Sequence, residues 1–404
     1  MIRTRTRQPN RRRIDVLLFR TLIFLLVSSI AFNTYLHQSI SIDGVDARSF
    51  AKHSFQRKEG CYSYGCKMHP PELTEDIRKD IEEIKQANGR QVSLAYGNSD
   101  MAGLTQQGKD HTENQDRGII VSPFYTSNQN VQFEYGSMND FLIGIFDGHG
   151  DLGHEVSQYL QDHFPKRLSE KLSHFSTWND NVIKNALNET LLEIDKELPG
   201  DTGMDGGSTA SVIFRLGSKL YFANVGDSLS FLAKYNSSSA ETTIVHRNRF
   251  DKPHLPEEKE RIERMGGKVF IPPQHPDGSR VIALNPLRSE MVSLGMSRAV
   301  GDWSHGDVGV IAEPVIDVLK LDELVYDNQG TRKHDIELFV VTSSDGLYDH
   351  KKPAFVANLL AQSFFVKGGD HPIVQCAKII DLATPQNPQR YRDDITVMAL
   401  RVVV

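Results

Sequence analysis

Cysteine is scarce in this chain, three in 404 residues, and thiols so placed do not make a zinc site. Cys61 and Cys66 stand close together in CYSYGCKM, where they either pair in an oxidising compartment or stay two free thiols. Cys376 falls in an apolar helical pattern and is expected in the core. Basic excess is lacking too. The formal net charge of −6 offers no global positive field to track phosphates, so nucleic-acid binding is not expected. No internal repeat is found, and beyond Gln91 no linker is long enough to separate two cores. What is there, 39% hydrophobic and 24% charged, is the makeup of a soluble globular protein.

Long apolar runs are confined to one, VLLFRTLIFLLVSSIAF (Val16 to Phe32), interrupted by Arg20. It follows Arg3, Arg5, Arg7, Arg11, Arg12 and Arg13, a start that carries no acid. A membrane helix needs about 20 apolar residues, so this run is near the lower limit. Three readings stand: an uncleaved signal-anchor, a cleaved signal or organelle-targeting peptide, and a buried helix. The signal-anchor is favoured, and the arginines ahead of the run favour a cytosolic N-terminus with the rest across the membrane in the secretory pathway. The alternative is a mitochondrion or other organelle, with residues 1–36 removed.

The chain then divides into residues 1–36, a tether with an amphipathic helix over 37–90, and one body over 91–404. Residues 37–71 mix Ser, His, Lys, Gly and Pro without apolar periodicity, whereas Leu73, Ile77, Ile81 and Ile84 form one helical stripe that Asn88-Gly89 ends. In the body, strand-like runs come in groups: RGIIV, VQFEY and FLIGIF, then TASVIFRL, KLYFANVG, SLSFLAKY and TTIVH, then ELFVVTSS and ITVMALRVVV. Helical patterns lie at about 152–173, 178–198, 256–265, 352–366 and 370–383, an irregular stretch is expected up to about 313, and NSSSAETT reads as a hairpin loop. This order predicts an α+β fold, a four-layer α-β-β-α sandwich of two antiparallel sheets flanked by helices, preceded by the N-terminal membrane or targeting segment.

Aspartates recur where apolar runs meet turns: Asp147 after FLIGIF, Asp227 after YFANVG, Asp345 after ELFVVTSS, Asp393-Asp394 before ITVMAL, and Asp116 just ahead of RGIIV. One such Asp is ordinarily a turn-former. Several brought to one rim of a sandwich repel one another unless cations stand between them. Oxygen ligands without Cys or paired His suit Mg²⁺ or Mn²⁺, and two such ions make a shared water reactive and clamp a phosphoryl group. Gly148 would let a backbone carbonyl approach an ion, and His149 would protonate a departing alkoxide.

The motifs ENQDR (113–117), FDGHG (146–150), GGSTA (206–210), ANVGDS (223–228), DKPHLPEEKERIERMGG (251–267), LGMSRAVGD (294–302), SSDGLYD (343–349) and RDDITV (392–397) follow in that order. In this the chain resembles the metal-dependent Ser/Thr protein phosphatases of type 2C (PPM), over about residues 91–404. The resemblance implies a helix-flanked β-sandwich with two Mg²⁺ or Mn²⁺ ions at one end, acting on phosphoserine and phosphothreonine in proteins. By motif, Asp147 would bridge both ions, Gly148 would offer its carbonyl, Asp345 and Asp393 would bind the other ion, and Asp116 would hold waters at the ions. His149 would be the general acid. Asp227 and Asp349 match positions of a possible third, weaker metal site. Asp394 falls where the family often has Asn.

Some positions depart from the family's pattern. His111 stands where many members have a phosphate-binding Arg, so that Lys109 or Arg117 would supply the charge. Gln115 replaces a common Glu, Leu229 a common Arg, and Asp151 a common Gly. GGSTA is expected as a tight turn feeding a strand, Arg298 as a rim residue, Asp302 as structural, and 251–296 as the flap that meets substrates. No Cys is placed as a nucleophile, which argues against a Cys-dependent tyrosine phosphatase. The expected partners are phosphoprotein substrates and a membrane, and the catalytic domain is expected to be monomeric. Two rivals stand beside this reading: a catalytically impaired binding scaffold, and a phosphohydrolase of small phosphoesters.

Overall fold

Alternation of apolar residues along the strands builds the body of this protein. The structure, a computed structural model, describes Lys79 and residues 92–97, 99–109, 111–124, 139–285, 290–327, 329–384 and 392–404. The expected membrane segment, the tether, the whole apolar stripe of the expected helix (of which only the helical Lys79 is described), Cys61, Cys66 and the VQFEY strand lie outside the described residues. Among the described residues no helix is long and apolar enough to cross a membrane.

The strands in chain order are β1 (Val92–Gly97), β2 (Met101–Gln106), β3 (Asp116–Val121), β4 (Phe141–Gly150), β5 (Gly206–Ser208), β6 (Ala210–Leu216), β7 (Lys219–Val225) and β8 (Leu229–Asn236). They continue with β9 (Glu241–Arg247), β10 (Lys268–Phe270), β11 (Arg280–Asn285), β12 (Glu290–Leu294), β13 (Val300–Gly301), β14 (Val315–Lys320), β15 (Ile336–Ser343) and β16 (Ile395–Val402). The helices used below are α1 (Gly153–Ser173), α2 (Asp180–Glu197), α3 (Pro256–Arg264), α4 (Asp345–Tyr348), α5 (Pro353–Phe365) and α6 (Pro372–Ala383). One sheet runs β1-β2-β16-β15-β8-β9, and a second runs β13-β5-β4-β6-β7-β14 with β3 also on β4. Pairing within both is antiparallel, as in β15 with β8 and β4 with β6.

Period-two alternation sorts the strand side chains into three cores. Phe141, Ile143, Ile213 and Phe222 from the second sheet meet Leu232, Leu338, Val340 and Met398 from the first, filling the space between them. The opposite face of the second sheet, with Leu142, Phe146, Val212 and Phe214, packs on Val156, Leu160 and Phe164 of α1 and Leu187 and Leu191 of α2. The outer face of the first sheet, with Leu104, Phe231, Phe339 and Val397, packs on Val356 and Leu360 of α5 and Ile373 and Ile380 of α6. The layers are therefore helix, sheet, sheet, helix. Cys376 is buried in that last core, as expected, and burial pushes its thiol up to about 12. Asn179 caps α2 by accepting from Val182 N at 3.0 Å.

Two expectations change. The stretch expected as irregular contains a third sheet, β10-β11-β12, whose Val281, Ala283 and Leu294 are buried, Val281 and Leu294 against Ile262 of α3. GGSTA is not simply a turn: Gly206–Ser208 is a short strand between β4 and β13. The hairpin loop after β8 is as read, with β8 and β9 joined through the exposed Ser237–Ala240 turn.

Candidate active site

β4 carries its polar residues inside the strand rather than after it. Asp147 is paired directly with Asp116 of β3, and Gly148 and His149 run alongside Ser208 and Gly207 of β5. Two carboxylates opposite one another on neighbouring strands repel. Here they do so in the interior, where Asp116 is 1% exposed. The strand ends then add Asp227 after β7, Asp345 at the start of α4 and Asp393 ahead of β16. Asp147, Gly148, His149, Asp227, Asp345 and Asp393 line one cleft of about 930 Å³.

The electrostatics follow from that crowding. Burial, then repulsion from Asp116, Asp345 and Asp393, pushes Asp147 well above the ordinary carboxylate range. Burial and the charges of Asp227 and Asp393 do the same to Asp345. Asp116 is held up at about 7 by burial and by Asp394, although Ser344 and Thr396 each donate to its Oδ2 at 2.7 Å. Burial also raises Asp393. Asp116 Oδ1 and Asp227 Oδ1 are buried without a hydrogen-bond partner. Unpaired buried oxygens of this kind call for a cation, which at Asp227 is already at hand in Lys252 Nζ, 2.5 Å from the other oxygen of the same carboxylate.

The two adjacent aspartates of RDDITV separate cleanly. Asp394 is 3% exposed and accepts from Gly108 N and Gln115 N, both at 2.7 Å, with His111 Nδ1 at 2.9 Å. It fastens the loop ahead of β3 and does not line the cleft. Asp393 is 34% exposed and faces the cleft. Asp349 is exposed and outside the cleft wall. Gly148 must be glycine for a reason of packing: a Cβ there would strike the Gly153 carbonyl oxygen and stand 2.7 Å from that of Gln115.

His149 is held from the other side. Its Nε2 lies 2.6 Å from Asp302 Oδ2, and its Nδ1 is buried without a partner. Burial opposes the charged ring, but Asp302 outweighs it and the imidazole is raised above its ordinary value. Asp302 itself sits in left-handed backbone, φ 51°, fixed where its N–H reaches Gly206 O at 2.9 Å. Gly207 makes room for the pair, since a Cβ at that position would overlap both Asp302 Oδ2 and His149 Nε2.

The cations differ from expectation. Lys109 is exposed and does not line the cleft. Arg117 is spent elsewhere, with Nη1 donating to the Asn114 and Asp116 carbonyls at 2.7 and 2.9 Å and Nε to Gln158. The positive groups lining the cleft include instead His111, Lys252 and Arg280. Arg298 is not a rim residue but binds Glu258 of α3, Nη2 to Oε1 at 2.8 Å. Leu229 is buried in the α5–α6 core, and Gln115 donates from Nε2 to Gly150 O at 2.9 Å. Sequence reasoning passed over Lys252, Arg280, Gly207 and the service of Asp302 to His149. Of these, Lys252, Gly207 and Asp302 carried a signal, because each stands within a motif of the resemblance, whereas Arg280 stands in none.

The sequence model described as Protein phosphatase 2C matches residues 110–387. Probable protein phosphatase 2C 6 of Arabidopsis thaliana is 30% identical over 310 residues, which take in 67% of this chain and 57% of that protein. The chain thus spans little more than half the length of that relative. Probable protein phosphatase 2C 73 of the same plant is 28% identical over 339 residues, 78% of this chain and 81% of that protein. Among solved structures, serine-threonine phosphatase 2C from Toxoplasma gondii superposes with a TM-score of 0.57 at 19% identity, covering 78% of this chain and 97% of that one. A sex determining protein of C. elegans gives 0.52 at 20% identity, over 75% and 64%. At such identities these two speak for the fold. The chain belongs to the protein phosphatase 2C family of Ser/Thr protein phosphatases.

Proposed function

We propose that the chain hydrolyses phosphoserine and phosphothreonine esters in proteins, with a water made reactive between two divalent cations, Mg²⁺ or Mn²⁺. The observation that carries this is the meeting of Asp147, Asp345 and Asp393 at one rim, over Asp116, with a mutual repulsion that Lys252 and His111 offset only in part. When bound, the ions acidify a shared water and neutralise the phosphoryl oxygens. Hard oxygen donors fit them. Among the described residues no group of three Asp, Glu, His or Cys side chains converges tightly enough to hold an ion alone.

Asp147, Asp345, Asp393 and the Gly148 carbonyl would hold the ions, and Asp116, braced by Ser344 and Thr396, would orient the water. His149, its Nε2 held 2.6 Å from Asp302 Oδ2 and its imidazole raised above the ordinary value, would give a proton to the departing alkoxide. His111 and Arg280 would receive the phosphate from the cleft wall. Asp147→Asn is expected to abolish Mn²⁺-stimulated hydrolysis of a phosphothreonine peptide. A near-normal rate would end the two-ion reading, and faster turnover of nucleotide or sugar phosphates than of phosphopeptide would favour a small phosphoester. The membrane placement of the chain through Val16 to Phe32 is a separate proposal, which rests on the apolar run and the arginines ahead of it.

A further inference from the structure

Lys252 is fixed to the turn that presents Asp227. Asp251 N donates to Gly226 O at 3.0 Å, and Asp251 Oδ2 accepts from Gly226 N at 3.1 Å and Asn224 Nδ2 at 3.2 Å. On the other side, Ser297 donates through N and Oγ to Asp251 O at 2.8 and 2.9 Å. The backbone before Lys252 is thus tied at several points to the strand end carrying Asp227, and the ring of Pro253 stiffens the backbone on its other side. From that base Lys252 Nζ reaches Asp227 Oδ2 at 2.5 Å and Gly295 O at 3.4 Å. The two side chains are 18% and 4% exposed.

A third divalent ion expected at Asp227 and Asp349 does not fit this arrangement. One oxygen of Asp227 is already held by an ammonium group, and Asp349, although its charge is felt at Asp345 and Lys252, is exposed and does not line the cleft. A divalent ion on the remaining Asp227 oxygen would face that ammonium across a few ångströms of interior, where like charges repel most strongly.

We infer that Lys252 is the resident cation of this rim, standing where a third divalent ion would otherwise bind at Asp227, so that the chain takes up two ions and not three. The inference rests on the two-ion reading and refines it. A lysine tethered in this way supplies one positive charge that neither dissociates nor varies with the concentration of free metal. It also holds the Asp227 carboxylate in place beside Asp345, whose charge it partly offsets.

The test is a count of ions on the full chain, stripped with chelator, desalted and titrated with Mn²⁺ alone, with free Mn²⁺ read by electron paramagnetic resonance and heat by calorimetry. The wild-type chain should take up two ions, and Asp227→Asn should still take up two. Lys252→Met should take up a third, which is lost again when Asp227→Asn is added. Three ions on the wild type, one ion lost in Asp227→Asn, or a folded Lys252→Met still at two would overturn the inference and leave the two-ion reading standing. No uptake by any variant would overturn both. If circular dichroism shows Lys252→Met unfolded, the wild-type and Asp227→Asn counts decide.

Discussion

At the scale of single residues, Gly207 shows how a site is shaped by an atom left out. It lies opposite His149 on the next strand, and the space its missing Cβ leaves is filled by the contact between His149 and Asp302. Gly207→Ala would wedge that contact apart without replacing a carboxylate. Overpacking of this kind costs about 1–3 kcal/mol, so the fold should survive. The expected outcome is a loss of about 100-fold on a phosphoserine peptide, whose alkoxide leaves poorly, and little loss on an activated aryl phosphate. Equal losses on both substrates, in protein that still unfolds cooperatively well above the assay temperature, would remove His149 as the proton donor. The aspartates of the cleft were legible in the sequence because each one ends or begins an apolar run, and strand ends of one sandwich share a rim. The partnership of His149 with Asp302 was not, since it joins positions 153 residues apart and depends on a two-residue strand to bring them together.

Among elements, α3 is one whose attachment is ionic. Its Glu258 carboxylate is fully enclosed and accepts from Arg261 Nη2 at 2.6 Å, Arg298 Nη2 at 2.8 Å and Arg249 Nη2 at 2.5 Å. Burial opposes its charge, but Arg298 and Arg261 hold it down at about 2. Asp251, which shares Arg249 and Arg298, is held up at about 7 by burial, so a proton entering the cluster goes to Asp251 before Glu258. Glu258→Gln would leave three guanidinium groups short of a partner and is expected to cost about 3–5 kcal/mol of stability. The sign with pH is fixed by the lowered Glu258: its contribution is complete above about 4.5 and fades as pH falls towards about 2. The difference in unfolding free energy between wild type and variant should therefore shrink below about pH 4.5, and a difference that stays constant would refute the assignment. The flap sheet beside this cluster escaped the sequence pattern because its strands are short. β10 has only three residues, and its neighbours bury a few small side chains near α3, so no run of alternation is long enough to register. β14 escaped for a related reason: as an edge strand it is only partly buried along its length.

Over the whole molecule, what could be read in advance was what alternation and helical period record, namely the paired strands, the outer helices and hence the four layers. Pairing order could not be read, because β16 joins β2 across nearly the full length of the body and no local signal specifies that partner. The same layers bear on which side of a membrane the body lies. Two Asn-X-Ser/Thr sequons stand in the body, at Asn188 and Asn236. Asn188 lies within α2, its Oδ1 is buried, and Thr190 is 0% exposed and donates to Ala186 O, so that sequon is closed once α2 packs. Asn236 ends β8 at an exposed turn, where Ser238 N and Ser239 N donate to its Oδ1. If the run from Val16 to Phe32 is a signal-anchor with the body in the lumen, the expressed protein should carry a glycan at Asn236 and none at Asn188. The shift on endoglycosidase treatment should then vanish in Asn236→Gln and persist in Asn188→Gln. An unshifted wild-type band, with the protein recovered in the membrane fraction, would place the body on the cytosolic face, and with it the phosphoproteins that the cleft can reach.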